Sequence, residues 1–324
     1  MNALASPASC KGVLSALEAA LALAAGMRGA GLEAEELPVA DGGEGTAEVF
    51  AAALGGEWRA AAASDPLGRP VEARYLVLDD GSAVVEGAEA VGLRLLGQDE
   101  LDPLAASSRG LGELLLAIAA GASGSIIVGL GDTGTVDGGA GLLEVVGGEL
   151  GGRELEVLCD VRSPLLGERG AARAFGPQKG ASPEQIDELE RRLAAMDELL
   201  PYAELPGAGA AGGLGAALAS LGGSLLPGAE VVLERIDFAA QARAADLVIT
   251  GEGTLDRSST EGKAVGEVVR VCAELGVRCE LFGGRIDEPP PGTHPHVLSG
   301  DPERAADDLV ELGGRLARAL LGVA

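Results

Sequence analysis

A serine, a lysine and a glycine stand close together near the start of this 324-residue sequence, a combination that suits anion binding. Ser9 and Lys11 precede Gly12, next to the predicted start of a helix. Backbone N–H groups at such a start and a lysine ammonium could together hold a phosphate. The alternative is an ordinary capped helix, in which the serine serves only the backbone.

A second glycine-rich segment, residues 41–46, carries two carboxylates. Asp41 and Glu44 flank Gly42 and Gly43 in this segment. Such a backbone can bend tightly around a ligand, and the two acids could hold a hydrated Mg²⁺ ion. A solvated turn is the alternative.

The segment 129–141 directly follows a predicted apolar strand and is dense in glycine, threonine and aspartate. Thr135, Gly138 and Gly139 could form a nest of backbone N–H groups for an anion. Asp137 lies among them and is the candidate base that accepts a hydroxyl proton. Glycine also serves merely to turn a chain after a strand, so that alternative stays open.

Three later segments repeat the combination of acid, glycine or lysine. Asp160 follows a predicted strand, where its carboxylate could bind a metal or merely cap a turn. Glu252 and Asp256 follow another buried strand, and Lys263 comes shortly after them. Lys179 lies in a Gly-Pro-Gln-Lys-Gly turn, for which a surface loop is the alternative.

Lysine itself is rare in this chain. Only three of the 24 basic residues are lysines, and Lys11, Lys179 and Lys263 each lie beside a glycine. This restriction suggests that a compact ammonium on a flexible stem is needed at these positions. Chance is the alternative, because 52 of the 324 residues are glycine.

Acids and lysines in glycine-rich turns suit phosphoryl transfer, in which catalysis is mostly positioning and charge neutralisation through Mg²⁺. The chain has no P-loop pattern, because Ala264 follows Gly262-Lys263 and Arg257 stands where the first glycine of that pattern would be. The glycine fingerprint of dinucleotide enzymes is also absent after a first strand.

The composition excludes several other classes of protein. The net charge is 24 − 50 = −26, which disfavours nucleic-acid and membrane partners. No signal peptide or apolar span of about 18 residues is visible, so a cytoplasmic protein is expected. The four cysteines lack CxxC spacing and both histidines lie in one proline-rich segment, so neither a zinc site nor a Ser-His-Asp triad is expected.

Helices and apolar strands alternate around these segments. The periodicity predicts helices at 13–29, after Thr46 to about 54, at 107–121 and 183–200, and at about 264–275 and 302–321. It predicts strands within 71–86 and at 125–130, 245–250 and 278–282. The Gly/Ala-rich stretch 204–228 is expected to be a mobile connection. The alternation predicts an α/β fold with mainly parallel sheets, whose ligands bind beyond the carboxyl ends of the strands.

Eight short motifs follow one another along the chain, at 9–16, 40–46, 65–70, 107–114, 137–141, 159–165, 175–180 and 250–253 with 262–263. Together they closely resemble the glycerate kinase type I family, bacterial enzymes that phosphorylate D-glycerate with ATP. The resemblance extends from about residue 5 to about residue 285. All three lysines fall inside these motifs.

The resemblance implies phosphorylation of D-glycerate, or of a closely related small hydroxy acid, with ATP and Mg²⁺ as cofactors and 2-phosphoglycerate as the product. It implies a discontinuous Rossmann-like domain at 1–62 with 240–324, a second α/β domain at 63–239, and an active site in the cleft between them. The hydroxy acid and ATP are the expected partners of a monomer or a homodimer.

The site residues expected for this function fall into three groups. Those expected to be catalytic are Asp137, Lys11 and Lys263. Those expected to hold the metal are Asp41, Glu44 and Asp160. Those expected to bind substrate or phosphate are Ser9, Gly42, Gly43, Thr135, Gly138, Gly139, Glu252 and Asp256.

Several motif positions differ from the family pattern. Ala8 stands where the family usually has an aspartate, Val136 where it has an asparagine and Thr254 where it has an arginine. These losses favour an alternative function, a catalytically impaired paralogue that binds a small anion or nucleotide in a regulatory or assembly role. Asp132 and Arg257 could instead reach into the vacated space.

If the rare lysines neutralise bound anions, the substitutions Lys11→Met and Lys263→Met should each raise the binding or activation free energy by ~1.5–3 kcal/mol. Thermal stability should change little, because a solvated lysine contributes little to folding. Steady-state kinetics and thermal unfolding of the two variants measure both quantities. Normal kinetics in both variants would show that these lysines are ordinary solvated side chains without a role in anion binding.

Overall fold

The computed structural model describes residues 1–148, 150, 152–256, 259, 263–287, 293 and 295–323. Its strands are β1 (Asn2–Ala5), β2 (Glu33–Glu36), β3 (Glu57–Ser64), β4 (Pro70–Val77), β5 (Ala83–Glu86), β6 (Ile126–Gly129), β7 (Leu155–Leu158), β8 (Ser224–Leu226), β9 (Leu247–Leu255), β10 (Cys279–Ile286) and β11 (His296–Val297). Its helices are α1 (Ala16–Gly29), α2 (Thr46–Leu54), α3 (Ala88–Val91), α4 (Arg109–Gly121), α5 (Ala140–Val146), α6 (Ala171–Phe175), α7 (Pro183–Ala194), α8 (Ala210–Ser220), α9 (Gly228–Arg235), α10 (Phe238–Ala244), α11 (Ala264–Leu275) and α12 (Ala305–Leu321).

The chain divides into two compact units, each with its own sheet. The first unit comprises Met1–Asp41, Glu48–Leu54 and Gly228–Ala324, and the second comprises Gly42–Ala47 and Gly55–Pro227. Both sheets are mainly parallel and alternate with helices along the chain. The predicted α/β fold with two sheets is therefore confirmed.

The bounds of these units differ from the domain division expected from the sequence. Strand β3 pairs antiparallel with β4 and so belongs to the second sheet. Helix α9 packs against α11 and so belongs with the first sheet. The division at 62 and 240 itself stays a prediction.

The first unit contains a five-stranded parallel sheet in the order β11-β10-β9-β1-β2. The chain leaves β1 toward β2 on one side and leaves β9 toward β10 on the other. The order of the strands therefore reverses between β1 and β9. In parallel α/β sheets such a reversal opens a crevice at the carboxyl ends of the two strands, where ligands commonly bind.

Helices α1 and α12 of the first unit pack against each other through their backbones. A Cβ atom added to Gly26 would lie 2.0 Å from the Val310 carbonyl oxygen, and one added to Gly313 would lie 2.3 Å from the Leu23 carbonyl oxygen. Leucines such as Leu23 and Leu312 fill the space on either side of this crossing. A chain with only 2% aromatic residues thus builds its core by close approach of backbones rather than by large side chains.

The second unit contains a six-stranded sheet in the order β3-β4-β5-β6-β7-β8. The pairs from β5 to β8 are parallel, and the two pairs at the β3 end are antiparallel. Strand β6 is buried along its whole length, as expected for a parallel strand with helices on both faces. The fully buried residues Leu111, Leu114 and Ile118 of α4 lie in the main core of this unit.

The sequence-based predictions of single elements are mostly confirmed. The helix predicted to follow Thr46 does end at Leu54, and the one predicted at about 264–275 is present, whereas the helix predicted at 183–200 ends at Ala194. The expectation of a mobile connection at 204–228 is wrong, because α8 lies within that stretch and residues 210–219 are all buried. Its Gly/Ala composition reflects close packing.

No helix in the described ranges is both long enough and apolar enough to cross a membrane.

Replacing Gly26 tests the packing of α1 on α12. Alanine is favoured over glycine inside a helix by about 1 kcal/mol. At position 26 that gain is outweighed, because the new Cβ would overlap a backbone oxygen that cannot rotate away, and overpacking costs about 1–3 kcal/mol. Gly26→Ala should therefore lower the free energy of unfolding measured in urea.

Gly29 is the matched control, because it lies in the same helix and an added Cβ would meet no atom within 4 Å. Gly29→Ala should leave the stability unchanged or raise it. Equal stability of the two variants would contradict the close crossing of the helices.

Candidate active site

A glycine loop, residues 42–47, lies against the carboxyl ends of β6 and β7 in the second unit. The Gly131 N–H donates to the Gly42 carbonyl over 3.3 Å. A Cβ added to Gly129 would lie 2.3 Å from the Gly42 carbonyl oxygen, and one added to Gly131 would lie 2.4 Å from the Gly43 Cα. Side chains are thus excluded at these positions, because one backbone lies directly on another.

The carboxylate of Glu86, the last residue of β5, accepts hydrogen bonds from the backbone of the glycine loop. Its carboxylate accepts the Gly45 N–H with both oxygens at 3.1 Å and the Ala47 N–H at 2.9 Å. Burial raises the pKa of Glu86 to about 7, although the hydrogen bonds from Ala47 and Gly45 favour the ionised form. Sequence analysis missed this residue, although an acid at the end of the apolar strand Ala83–Glu86 was a usable signal.

Thr46 closes the glycine loop on itself, and Glu44 points outward. The Thr46 hydroxyl accepts the Gly42 N–H at 3.1 Å and donates to the Gly43 carbonyl at 2.7 Å. Glu44 is exposed and lies 3.5 Å from the Arg94 guanidinium. The loop is therefore fixed internally, with one candidate metal ligand facing solvent.

Asp137 is embedded in hydrogen bonds at the start of α5. One carboxylate oxygen accepts the Ser108 N–H and hydroxyl, both at 2.8 Å, and the Gly141 N–H at 3.2 Å. The other oxygen accepts the Gly139 N–H at 3.0 Å. These bonds join the starts of α4 and α5, because Ser108 immediately precedes α4 and Gly139 and Gly141 lie at the start of α5. Its catalytic role stays a prediction.

Gly138 and Gly139 are also engaged within the protein. The Gly138 N–H donates to the Gly212 carbonyl at 3.0 Å. A Cβ added to Gly139 would lie 2.3 Å from the Cβ of Ala217 in α8. Both residues have positive φ angles, which only glycine adopts readily. These contacts explain the two glycines by packing, and phosphate binding by them stays a prediction.

The strand-exit loop, residues 132–137, follows β6 and is largely buried. Thr135 is fully buried, and its hydroxyl has no hydrogen-bond partner in the described part of the chain. Val136 is 1% exposed and packs with Leu165 and Leu189. The expectation that Val136 removes a polar group from a substrate cleft is therefore wrong, since its side chain belongs to the hydrophobic core.

The surface-loop alternative for Lys179 is not supported, because the side chain is buried. It is 2% exposed, and its ammonium donates to the Thr135 carbonyl at 2.7 Å and to the Thr133 hydroxyl at 3.3 Å.

Asp160 is half-buried just beyond the carboxyl end of β7, as the sequence predicts. Burial, and secondarily the charge of Asp160, raises the pKa of the neighbouring Cys159 to about 12, so that thiol is unreactive.

In the first unit, the segment that carries Ser9 and Lys11 runs beside β9 at the strand-order reversal. The Ser6 and Ala8 N–H groups donate to the carbonyls of Ile249 and Gly251 at 2.8 and 2.9 Å. A Cβ added to Gly253 would lie 3.3 Å from the Cys10 Cα, so this glycine allows the close approach of the two segments.

The capped-helix alternative for this segment is not supported. The capping box of α1 consists of Ser15 and Glu18, beyond the segment. Residues 10–14 instead form a separate tight turn, in which the Cys10 N–H donates to the Leu14 carbonyl at 2.9 Å.

Charged groups gather around Glu252 in the same unit. Burial is the main cause that raises the pKa of Glu252, and Asp41 and Asp256 add to it, whereas Ser259 and Lys263 act in the opposite direction. The Glu252 Oε1 atom is buried and has no hydrogen-bond partner among the described residues. Lys263 itself stands immediately before α11. Arg257, Ser258 and Gly262 lie outside the described residues.

The predicted metal ligands do not form a closed protein cage. Within the described ranges, no group of three or more His, Cys, Asp or Glu side chains is placed to hold a metal ion. Mg²⁺ in kinase sites is usually bound by one or two carboxylates together with phosphates and water. Asp41, Glu44 and Asp160 therefore stay predictions that depend on a bound nucleotide.

Comparison with known proteins identifies the relatives of this chain. The model of the glycerate kinase family matches residues 3–153 and 148–299. The chain is 40% identical to the glycerate 2-kinase of Escherichia coli, over 92% of this chain and 89% of that protein. It is 36% identical to the glycerate kinase of Bacillus subtilis, over 92% of this chain and 88% of that protein.

A solved structure extends the similarity to the fold. The crystal structure of a protein assigned as glycerate kinase 2 from Salmonella typhimurium LT2 matches with a TM-score of 0.83 and 31% sequence identity. The match covers 99% of this chain and 98% of that one. The family resemblance predicted from the motifs is thereby confirmed.

The pH dependence of stability tests the burial of Glu86. Because its pKa is about 7 in the folded protein against 4.5 ordinarily, the folded state holds a proton between these values that the unfolded state has released. The contribution of Glu86 to stability should therefore fall from pH 4.5 to 7 and stay constant above that. One pKa unit corresponds to about 1.4 kcal/mol, so the total change is about 3 kcal/mol.

The measurement compares the wild type with Glu86→Gln by urea unfolding at several pH values in EDTA. The unfolding free energy of the wild type, relative to that of Glu86→Gln, should decrease as the pH rises from 4.5 to 7. Glu72 is an exposed control, and the difference between the wild type and Glu72→Gln should not vary in this way. A flat difference for Glu86→Gln would show that its carboxyl is solvated.

Proposed function

Because the chain belongs to the glycerate kinase family and is therefore a kinase, we propose that it phosphorylates D-glycerate with ATP and Mg²⁺. We propose 2-phosphoglycerate as the product. The name of the Escherichia coli relative, glycerate 2-kinase, supports the 2-hydroxyl as the acceptor. Nearly the whole chain takes part in the match to that relative.

The main structural support for the proposed site is the Oε1 atom of Glu252, which is buried and has no hydrogen-bond partner among the residues that the structure describes. A buried carboxylate oxygen that lacks a donor is suited to a cation or a hydrated cation. We propose that Glu252 and Asp41 hold Mg²⁺ directly or through water, and Glu44 and Asp160 stay further candidates. Bound Mg²⁺ would bridge phosphate oxygens of ATP and neutralise charge that develops during transfer.

Lys11 and Lys263 are proposed to neutralise the anions. Lys263 lowers the pKa of Glu252 by its charge, so its ammonium acts on the same group of residues. The amino-terminal end of α11 adds a partial positive charge next to Lys263. Asp256 and Ser9 belong to the same unit and are proposed to orient phosphate groups.

The glycine loop and the strand-exit loop of the second unit are proposed to bind the hydroxy acid. Gly42 and Gly43 shape the first loop, and Thr135 belongs to the second. Asp137 is proposed to fix the position of the second loop through its four hydrogen bonds. A strong base is not essential for phosphoryl transfer, because little proton transfer is needed in a loose transition state.

The alternative, an impaired paralogue with a regulatory role, is not favoured. One of its arguments was the loss of an amide at Val136, and that side chain lies in the hydrophobic core. The relatives named as kinases resemble this chain over most of its length.

An assay of ADP release with D-glycerate tests the proposal. Release should require both Mg²⁺ and D-glycerate and should be absent with D-lactate, which keeps the 2-hydroxyl but lacks the 3-hydroxyl. The ³¹P NMR signal of the product should be a doublet, because phosphate on carbon 2 couples to a single proton, whereas phosphate on carbon 3 would give a triplet. Absence of turnover with several three- and four-carbon hydroxy acids would refute the kinase proposal.

A further inference from the structure

We propose that Lys179 is a positioning residue, whose side chain holds the strand-exit loop in the conformation that binds the hydroxy acid. This inference rests on the proposed function, because it assigns that loop to the acceptor. Lys179 does not contact the reacting atoms in this account and acts through Thr133 and Thr135.

The contacts of Lys179 join parts of the chain that are far apart in sequence. Lys179 ends a short 3₁₀ turn, Pro177–Lys179, that follows α6. Its Nζ atom donates to the Thr135 carbonyl at 2.7 Å and to the Thr133 hydroxyl at 3.3 Å, across 44 and 46 residues. Two of the three donors of the ammonium are thereby directed at one short loop.

Backbone hydrogen bonds also hold the first half of the loop. The Leu93 N–H donates to the Asp132 carbonyl at 2.9 Å, and the Gly134 N–H donates to the Val91 carbonyl at 2.7 Å. These bonds fix the first half of the loop to α3 and the residues after it. The bond from Lys179 holds Thr135, between these bonds and the hydrogen bonds of Asp137, immediately before Val136 enters the core.

A merely structural need would not select a lysine here. Burying an ammonium costs several kcal/mol, and apolar residues of similar volume usually stabilise a buried position as well or better. The residue is 2% exposed, so its charge gains nothing from solvent. The charge is therefore explained by the groups it holds, since an apolar side chain could donate to neither Thr133 nor Thr135.

The Lys179 side chain, which holds the loop, should change its charge near neutral pH. Burial lowers the pKa of Lys179 to about 7, and the charges of Asp137 and Asp132 oppose this shift. Below that pH the ammonium donates charge-assisted hydrogen bonds, and above it the neutral amine donates weaker ones. The hold on the loop should therefore weaken as the pH rises through 7.

Kinetics of Lys179→Met test the proposal, because methionine has a similar length and no donor. The KM for D-glycerate should rise by about tenfold, the effect of a lost charge-assisted hydrogen bond, while the KM for ATP should change by less than about twofold. In the wild type kcat/KM for D-glycerate should fall as the pH rises through 7, and this inflection should be absent from the variant. Gln178→Met, an exposed change in the same turn, is the matched control and should behave as the wild type.

Thr133→Val provides a second route if Lys179→Met does not fold. It removes one acceptor of the ammonium and should raise the KM for D-glycerate in the same direction. Hydrogen exchange of the amides of residues 132–137 should accelerate in either variant relative to β6. Folded variants with unchanged KM, pH profile and loop exchange would overturn the proposal.

Failure of the proposed function would be recognised separately. A wild type that releases no ADP with D-glycerate refutes the function, whereas the hydrogen-exchange comparison still decides whether Lys179 holds the loop. Accelerated exchange in the variants then supports the positioning role, and unchanged exchange refutes it.

Discussion

In the second unit, the backbone of the glycine loop lies in direct contact with the backbone at the end of β6, and the position of the loop depends on this contact. Gly129 and Gly131 leave room for Gly42 and Gly43, and a single added methyl group at either of the first two would overlap the loop. The loop therefore lies flat across the carboxyl ends of β6 and β7. Its hydrogen-bonding groups are held at the edge of the sheet where ligands of α/β proteins bind.

Two buried ionisable side chains then fix the loops of this unit. Glu86 accepts N–H groups of the glycine loop, and Lys179 donates to the strand-exit loop. Burial moves the pKa of each toward 7, upward for the carboxyl and downward for the amine. Each charged group sacrifices some stability and provides directional hydrogen bonds that an apolar core lacks, which is a common compromise at functional sites.

The fold could be predicted from the sequence because its signals are local. Apolar runs such as Ser125–Leu130 and the helical spacing at 264–275 depend only on neighbouring residues. The composition of the Gly/Ala-rich stretch 204–228 does not distinguish a mobile connection from a packed helix, because small residues also occur where a helix packs closely on other backbones. Ala211, with a φ angle of 55°, shows how far that packing determines the local backbone.

The candidate site was less predictable, because the roles of its residues depend on distant partners. Asp137 has the sequence context of a free acid, yet its carboxylate accepts hydrogen bonds from Ser108 and from two glycine amides. Val136 lies in a glycine-rich, polar segment of the sequence but packs in the core. The ordered motifs located the right segments, whereas the orientation of each side chain within them could not be inferred from spacing.

Hydrogen exchange of the Gly45 and Ala47 amides, followed by NMR in the wild-type protein, tests most directly whether Glu86 fixes the glycine loop. If the buried carboxylate accepts both amides, they should exchange at least about a hundredfold more slowly than in an unstructured chain, although they lie in a loop. Exchange of both amides at the unprotected rate would contradict this account of the site.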